Sequence, residues 1–264
     1  MTDPTPKSRL PRRRVILLAG AVSVVVGVAL LYWWPYHREQ AAIVEIEKAG
    51  GFTRSGVVRP YWVPDSVADE RLKLFTKVDA VNLSGPQVGD AELEYLQNLD
   101  NVQILNLHRT RVTDAGLGRL RLPKLWDLSL EGTPIGDAGL KQIRNRSHLE
   151  WLNLANTRVS DAGLEHLAGL PKLQVLSLNN TDVSDAGMVH VGGLSDLIVL
   201  WLQNTQVSDA GVKHLCGLKK LRFLYLDGSR VTPAGYFELR FALRDCEIHW
   251  SPPRAKRRAT NVDR

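Results

Sequence analysis

The stretch WLNLANTRVSDAGLEHLAGLPKL, residues 151–173, decides the architecture. Its middle carries Asp-Ala-Gly at Asp161, and the same tripeptide stands at Asp114, Asp137, Asp185 and Asp209, at intervals of 23, 24, 24 and 24 residues. An Asp-Ala-Glu variant lies at Asp90 and a Pro-Ala-Gly variant at Pro233. A fixed period of this size denotes stacked supersecondary units, each hiding its apolar face only against its neighbours.

The first half of the stretch supplies the other part of the unit. Leu149, Leu152 and Leu154 form a Leu-x-x-Leu-x-Leu triplet, and equivalent triplets begin at Val102, Leu125, Leu173, Leu197 and Leu221. Val78, Val81 and Leu83 make a degenerate first copy, and Ile248 with Trp250 a last one. Residues two apart share one face of a strand. After each aspartate the apolar residues change to helical spacing, as in Leu164, Leu167, Ala168 and Leu170. Each unit therefore reads as one short strand, a turn and a helix of two to three turns.

On these residues the chain resembles the leucine-rich repeat proteins over positions 78–250. The Val-Ser-Asp-Ala-Gly-Leu phrase is most similar to the cysteine-containing subclass, with Thr110, Thr133, Thr157, Thr181, Thr205 and Ser229 in its cysteine column. The resemblance implies an α/β solenoid: a right-handed βα superhelix with a parallel sheet on its concave side and helices on its convex side. The hydroxyl column is expected to satisfy backbone groups in the tight turn and to stack into a ladder. Proline is favoured at the first helical position, so Pro233 makes Thr232 an N-cap, and alignment adds Thr113, Ser160, Ser184 and Ser208. The aspartates then sit in the first turn against the helix dipole. Gly116, Gly139, Gly163, Gly187, Gly211 and Gly235 are expected to allow close approach of neighbouring repeats.

Residues 15–34 carry no charge and are nearly all apolar. Twenty residues of helix span about 30 Å, the thickness of a bilayer core. Basic residues fill positions 1–14, and Tyr32, Trp33, Trp34 and Tyr36 mark the other end. This pattern predicts an uncleaved transmembrane signal-anchor helix, with the N-terminus cytoplasmic and the repeats outside the cytoplasm. Residues 35–77 read as linker and N-terminal cap, with helices expected over 38–49, stopped by Gly50 and Gly51, and over 65–75, where Val67, Leu72, Leu74 and Phe75 would cover the first repeat. The layout resembles bacterial membrane-tethered leucine-rich repeat proteins. At the far end Phe237, Phe241 and Trp250 are the expected closing residues, followed by a basic tail over 251–264.

The net charge of +6 resides in the two ends. Residues 1–14 and 251–264 contribute +8 between them, which leaves the body at −2 and without the basic groove that nucleic acid requires. Cys216 and Cys246 fall on different layers and are expected to be two small buried side chains without a disulfide. His166, His190 and His214 share a column on helices some 8–10 Å apart, too far for a shared metal. No catalytic motif is present, and the nearest charged pair, His108 with Glu131, lacks a nucleophile. A non-enzymatic protein without cofactor or metal is expected.

Strand alternation also names the residues of the concave face. With Leu152 and Leu154 inward, Trp151, Asn153 and Ala155 point outward, and stacking turns such positions into stripes. Trp151, Val175, Val199, Trp201, Phe223 and Tyr225 then form one apolar, aromatic surface, the expected binding site. Its polar margin suits a protein, a peptide or an envelope polysaccharide. The other reading is a structural spacer of the cell envelope.

Overall fold

The computed structural model describes residues 23, 26–27, 29–59, 63–69 and 72–252. Much of the expected anchor, the whole basic N-terminus and nearly all of the basic tail lie outside them. Among the described residues no helix is long and apolar enough to cross a membrane.

One sheet of nine strands runs through the molecule in strict sequence order. Strand β1 (Phe52–Val57) pairs antiparallel with β2 (Thr76–Asn82). From there β3 (Ile104–Asn106), β4 (Asp127–Ser129), β5 (Trp151–Asn153), β6 (Val175–Ser177), β7 (Val199–Trp201), β8 (Phe223–Tyr225) and β9 (Glu247–His249) add in parallel. The register pairs Leu105, Leu128, Leu152, Leu176, Leu200 and Leu224 in one row. All six are fully buried, so each rung hides its leucine between two others.

Helices return the chain to the next strand. Helix α1 (Trp34–Lys48) precedes the sheet. The repeats contribute α2 (Asp114–Arg119), α3 (Asp137–Ile143), α4 (Asp161–Leu164), α5 (Asp185–Val191), α6 (Asp209–Val212) and α7 (Pro233–Ala242). Thr113, Ser160, Ser184, Ser208 and Thr232 occupy the N-cap positions. Only Ser208 and Thr232 cap with their side chains, accepting from Ala210 and Ala234 at 3.3 and 3.2 Å.

The hydroxyls are engaged elsewhere, which corrects the simple capping expectation. Ser160 donates its hydroxyl to Asp137 Oδ2 at 2.7 Å and its N–H to Asp137 Oδ1 at 2.8 Å. The same bidentate grip joins Thr113 to Asp90, Ser184 to Asp161, Ser208 to Asp185 and Thr232 to Asp209. Gly136, without a hydroxyl, gives Asp114 its N–H alone at 2.9 Å. Each aspartate therefore binds the following repeat as well as standing at its own helix start. Burial works against the charge of Asp185, but the hydroxyl and N–H of Ser208, the N–H of Gly211 and nearby Arg230 outweigh it and hold its carboxyl below the ordinary range. The glycines complete this joint: a Cβ on Gly139 or Gly187 would stand 2.5 Å from Oδ1 of Asp114 or Asp161.

The hydroxyl column of the turn behaves differently from the expected ladder. Thr133, Thr157, Thr181 and Thr205 are buried and donate at 2.5–2.8 Å to the carbonyls of Leu130, Leu154, Leu178 and Leu202, three residues back in their own repeat. Each saturates its own turn.

The ends are closed in part as expected, by the helix before Gly50 and by Trp250, and in part by other elements. Over 65–75 the described residues form turns and 3-10 geometry at Asp69 and over Lys73–Phe75, with no α-helix. The start of the stack is covered by α1, whose Ala42 and Ile46 join the core, and by β1, which occupies the sheet edge. Buried Glu39 of α1 accepts the Val78 N–H at 2.5 Å and Lys77 Nζ at 3.1 Å, so its charge is paired. At the other end Phe237 and Phe241 are 68% and 77% exposed. Four residues apart, they share the helix face opposite Gly235 and Leu239, which are the residues that pack. Trp250 does close the stack, donating its indole N–H to Val231 O at 3.0 Å and stacking on Tyr236.

The aspartate–glycine joint yields a sign reversal that can be measured. Gly→Ala in a helix ordinarily stabilises by about 1 kcal/mol. Gly163→Ala is expected instead to destabilise the chain by about 1–3 kcal/mol in urea denaturation, because the added methyl meets Asp137. In an Asp137→Ala background that penalty should shrink by about 1 kcal/mol or more. An equal penalty in both backgrounds would place the clash elsewhere.

Candidate binding face

Core rows and outward rows alternate through every rung, so the outward side chains of β3 to β9 form registered columns. The first runs Ile104, Asp127, Trp151, Val175, Val199, Phe223 and Glu247. The second runs Asn106, Ser129, Asn153, Ser177, Trp201, Tyr225 and His249. Trp151 is 42% and Phe223 39% exposed, while Val175, Val199, Trp201 and Tyr225 are half-buried. The first column thus brings Trp151, Val175, Val199 and Phe223 together on consecutive strands.

The second column holds an arrangement that sequence reasoning missed. Trp201 and Tyr225 stack with centroids 5.7 Å apart and planes 13° from parallel. His249 continues the deck at 4.4 Å and 6°. Histidine was overlooked here because the last rung was read only through its core residues, Ile248 and Trp250.

At its other end the deck stops, because the next residue in the column is Ser177. A cleft of about 370 Å³ opens there, lined by Trp151, Trp201, Ser177, Asn153, Ala155, Asn156, Asn179, Asn180 and Glu131. Asn156 and Asn180 reach it through an unusual backbone. They belong to a column of Gly85, Arg109, Gly132, Asn156, Asn180, Asn204 and Gly228, all at positive φ between 54° and 111°. Glycine and asparagine are the residues that tolerate this left-handed region. Their recurrence at the repeat period, interrupted only by Arg109 between Gly85 and Gly228, was a readable signal for the turn that rims the cleft. Asn204 donates Nδ2 to Asn180 Oδ1 at 2.8 Å along the rim.

Charged side chains in the two outward columns of β3 to β9 and in the cleft lining are acidic or imidazole. Glu131 receives Asn153 Nδ2 at 3.1 Å and lies 3.6 Å from His108 Nδ1. Asp127 sits half-buried between Ile104 and Trp151, and burial pushes its carboxyl up. A second, larger hollow of about 520 Å³ lies along the strand-entry edge between Gln103, Trp126 and Glu150, with Pro123, Lys124 and His148. It was not foreseen, since these residues precede the alternating part of each strand.

The remaining titratable candidates are dispersed. His190 and His214 are exposed and His166 stands beside Glu165 at 3.6 Å. Among the described residues no group of three or more histidine, cysteine or acidic side chains is placed to hold a metal ion. Cys216 is half-buried and Cys246 buried, both unbonded, and burial pushes the Cys246 thiol up to about 11.

No protein-family model matches the sequence, and no curated protein does either. Solved structures do match. An internalin C2 from Listeria monocytogenes superposes with a TM-score of 0.50 at 20% identity, over 70% of this chain and 84% of that one. The chain has the leucine-rich repeat fold. A leucine-rich repeat protein from Leptospira interrogans is 25% identical over 58% of this chain and 38% of its own, with a TM-score of 0.47.

The raised Asp127 carboxyl has a consequence for this solenoid's stability. The folded state holds that proton to higher pH than the unfolded chain does, so stability falls as pH rises from the unfolded value through the folded one. Asp127→Asn is therefore expected to raise the melting temperature at about pH 7 and to leave it unchanged near pH 2.5, where both states are protonated. Calorimetry at the two pH values measures this, and a gain of equal size at both would assign the effect to packing.

Proposed function

We propose that this chain is a membrane-anchored leucine-rich repeat binding module of the threonine-for-cysteine subclass. In this reading residues 15–34 span the membrane, the N-terminus is cytoplasmic, and the repeats stand outside the cytoplasm. The open face of the sheet, concave in this fold, recognises a protein, a peptide or an envelope polymer. The observation that carries the reading is the registered apolar column on that face, with Trp151 and Phe223 exposed at either end of Val175 and Val199. Large apolar groups exposed together mark interaction sites, and aromatic residues dominate binding energy there.

The scaffold suits such a role because it loses little freedom on binding. Backbone hydrogen bonds join each rung to the next beyond the strands themselves, as from Leu154 to Ser177 and from Asn156 to Asn179. A preorganised surface avoids much of the ordering cost of association. The uncharged length of residues 15–34 supports the anchor.

A spacer role is favoured by one observation, the Trp201–Tyr225–His249 deck, which consumes aromatic faces internally. Two comparisons separate the readings. Trp201→Asp and Tyr225→Asp, with folding verified by circular dichroism, should abolish recovery of the partner in a pull-down from native membranes. Unchanged recovery in both variants would remove the aromatic face from consideration. Deletion of residues 252–264 should leave localisation intact, whereas a spacer held through its basic tail would lose it.

A further inference from the structure

We infer that the cleft between Trp151 and Trp201 is a subsite for the ring of a neutral pyranose sugar, which names the ligand class within the binding-face reading proposed above and rests on it. Parallel stacking commits one face of Trp201 to Tyr225 and leaves its opposite face turned toward β6. There Ser177 occupies the position where another ring would continue the deck, and the cleft begins. Neighbouring rungs are about 4.8 Å apart, so the two steps from β5 to β7 leave about 10 Å between Trp201 and the rung that bears Trp151. One saturated six-membered ring, standing with its C–H face against the indole, fits that gap. The volume of about 370 Å³ falls in the range of small-ligand sites.

The polar lining selects among ring-shaped occupants. Asn153 is spent internally: its Oδ1 accepts the Ala155 N–H and its Nδ2 donates to Glu131. Asn179 Oδ1 accepts the Gln203 N–H at 2.8 Å and Asn180 Oδ1 accepts from Asn204, so each has an amide NH₂ left to donate. Glu131 supplies carboxylate acceptors on the same wall. Donors and acceptors are thus interleaved around an aromatic platform.

A sugar hydroxyl both donates and accepts, and it satisfies both kinds of group. A guanidinium or ammonium group only donates, and it would leave the Asn179 and Asn180 amides unpaired. A phosphate or carboxylate only accepts, and it would meet Glu131 with no lysine or arginine among the lining residues to offset the repulsion. A neutral sugar answers every group present.

The test uses the full-length chain with four probes: chitotetraose and cellotetraose as neutral oligosaccharides, tetragalacturonate as an anionic one, and a tetra-arginine peptide. Isothermal titration should show saturable binding of a neutral oligosaccharide and none of tetragalacturonate. Trp201→Ala and Asn179→Ala should each weaken that binding about tenfold or more. Trp201→Phe, which keeps a smaller ring, should weaken it less and serves if the alanine variant fails to fold. Absence of binding by both neutral probes overturns the proposal, as does sugar binding indifferent to Trp201 and Asn179. Preferential binding of the arginine peptide at these residues overturns it in favour of a cationic peptide. Loss of partner recovery in Trp201→Asp without any oligosaccharide binding sinks the sugar subsite and leaves the binding face standing.

Discussion

A carboxylate gripped by the next repeat governs the spacing of the helices. Asp137 holds the N–H and hydroxyl of Ser160, and Gly163 gives up its side chain to let that carboxylate in. The Asp-Ala-Gly phrase is therefore one joint read twice: its aspartate belongs to the contact ahead and its glycine to the contact behind. The limits of the series follow from this. Asp90 departs from the phrase, with Glu92 in the glycine position, yet it keeps the carboxylate because Thr113 follows. Pro233 replaces the carboxylate at the start of α7, the last helix among the described residues.

The sheet side follows a different constraint. Rows of leucine are buried from both neighbours, so a change in one rung is felt by two others. Beyond the strands the backbone must leave the ladder in one step, and the column from Gly85 to Gly228 does this at positive φ. Threonine at the following turn covers the carbonyl left behind, as Thr157 does for Leu154. Helix spacing, strand register and turn shape are thus set by separate devices that share the same period.

That separation explains what was legible. The period, the strand and helix halves and the outward columns are one-dimensional facts, and they translate directly because each rung repeats the last. The Gly column could be read as close approach, though its partner, the preceding aspartate, could not, since 25 or 26 residues separate the two. The ends were legible only in part, for a related reason. A cap belongs to no repeat, so periodicity is silent about β1, and in α7 the pair Phe237 and Phe241 has the same helical spacing as Gly235 and Leu239. Hydrophobicity alone favoured the wrong pair. Stacking of His249 on Tyr225 escaped notice because it depends on ring orientation.

The repeats also serve as an alignment of the molecule against itself. Where stability dictates a residue, the rungs agree: the inward row is leucine six times in succession from Leu105 to Leu224. Outward, the same rungs agree at one step alone, Val175 to Val199, in the run Ile104, Asp127, Trp151, Val175, Val199 and Phe223. Half-buried Asp127 works against stability, and exposed Trp151 gains little from the fold. A scaffold that solves its packing the same way in each rung has no structural need for such variety on its open side. The variety falls around Trp151, Ser177 and Trp201, where the aromatic deck ends and the cleft begins, and there chemistry other than folding has the stronger claim on the side chains.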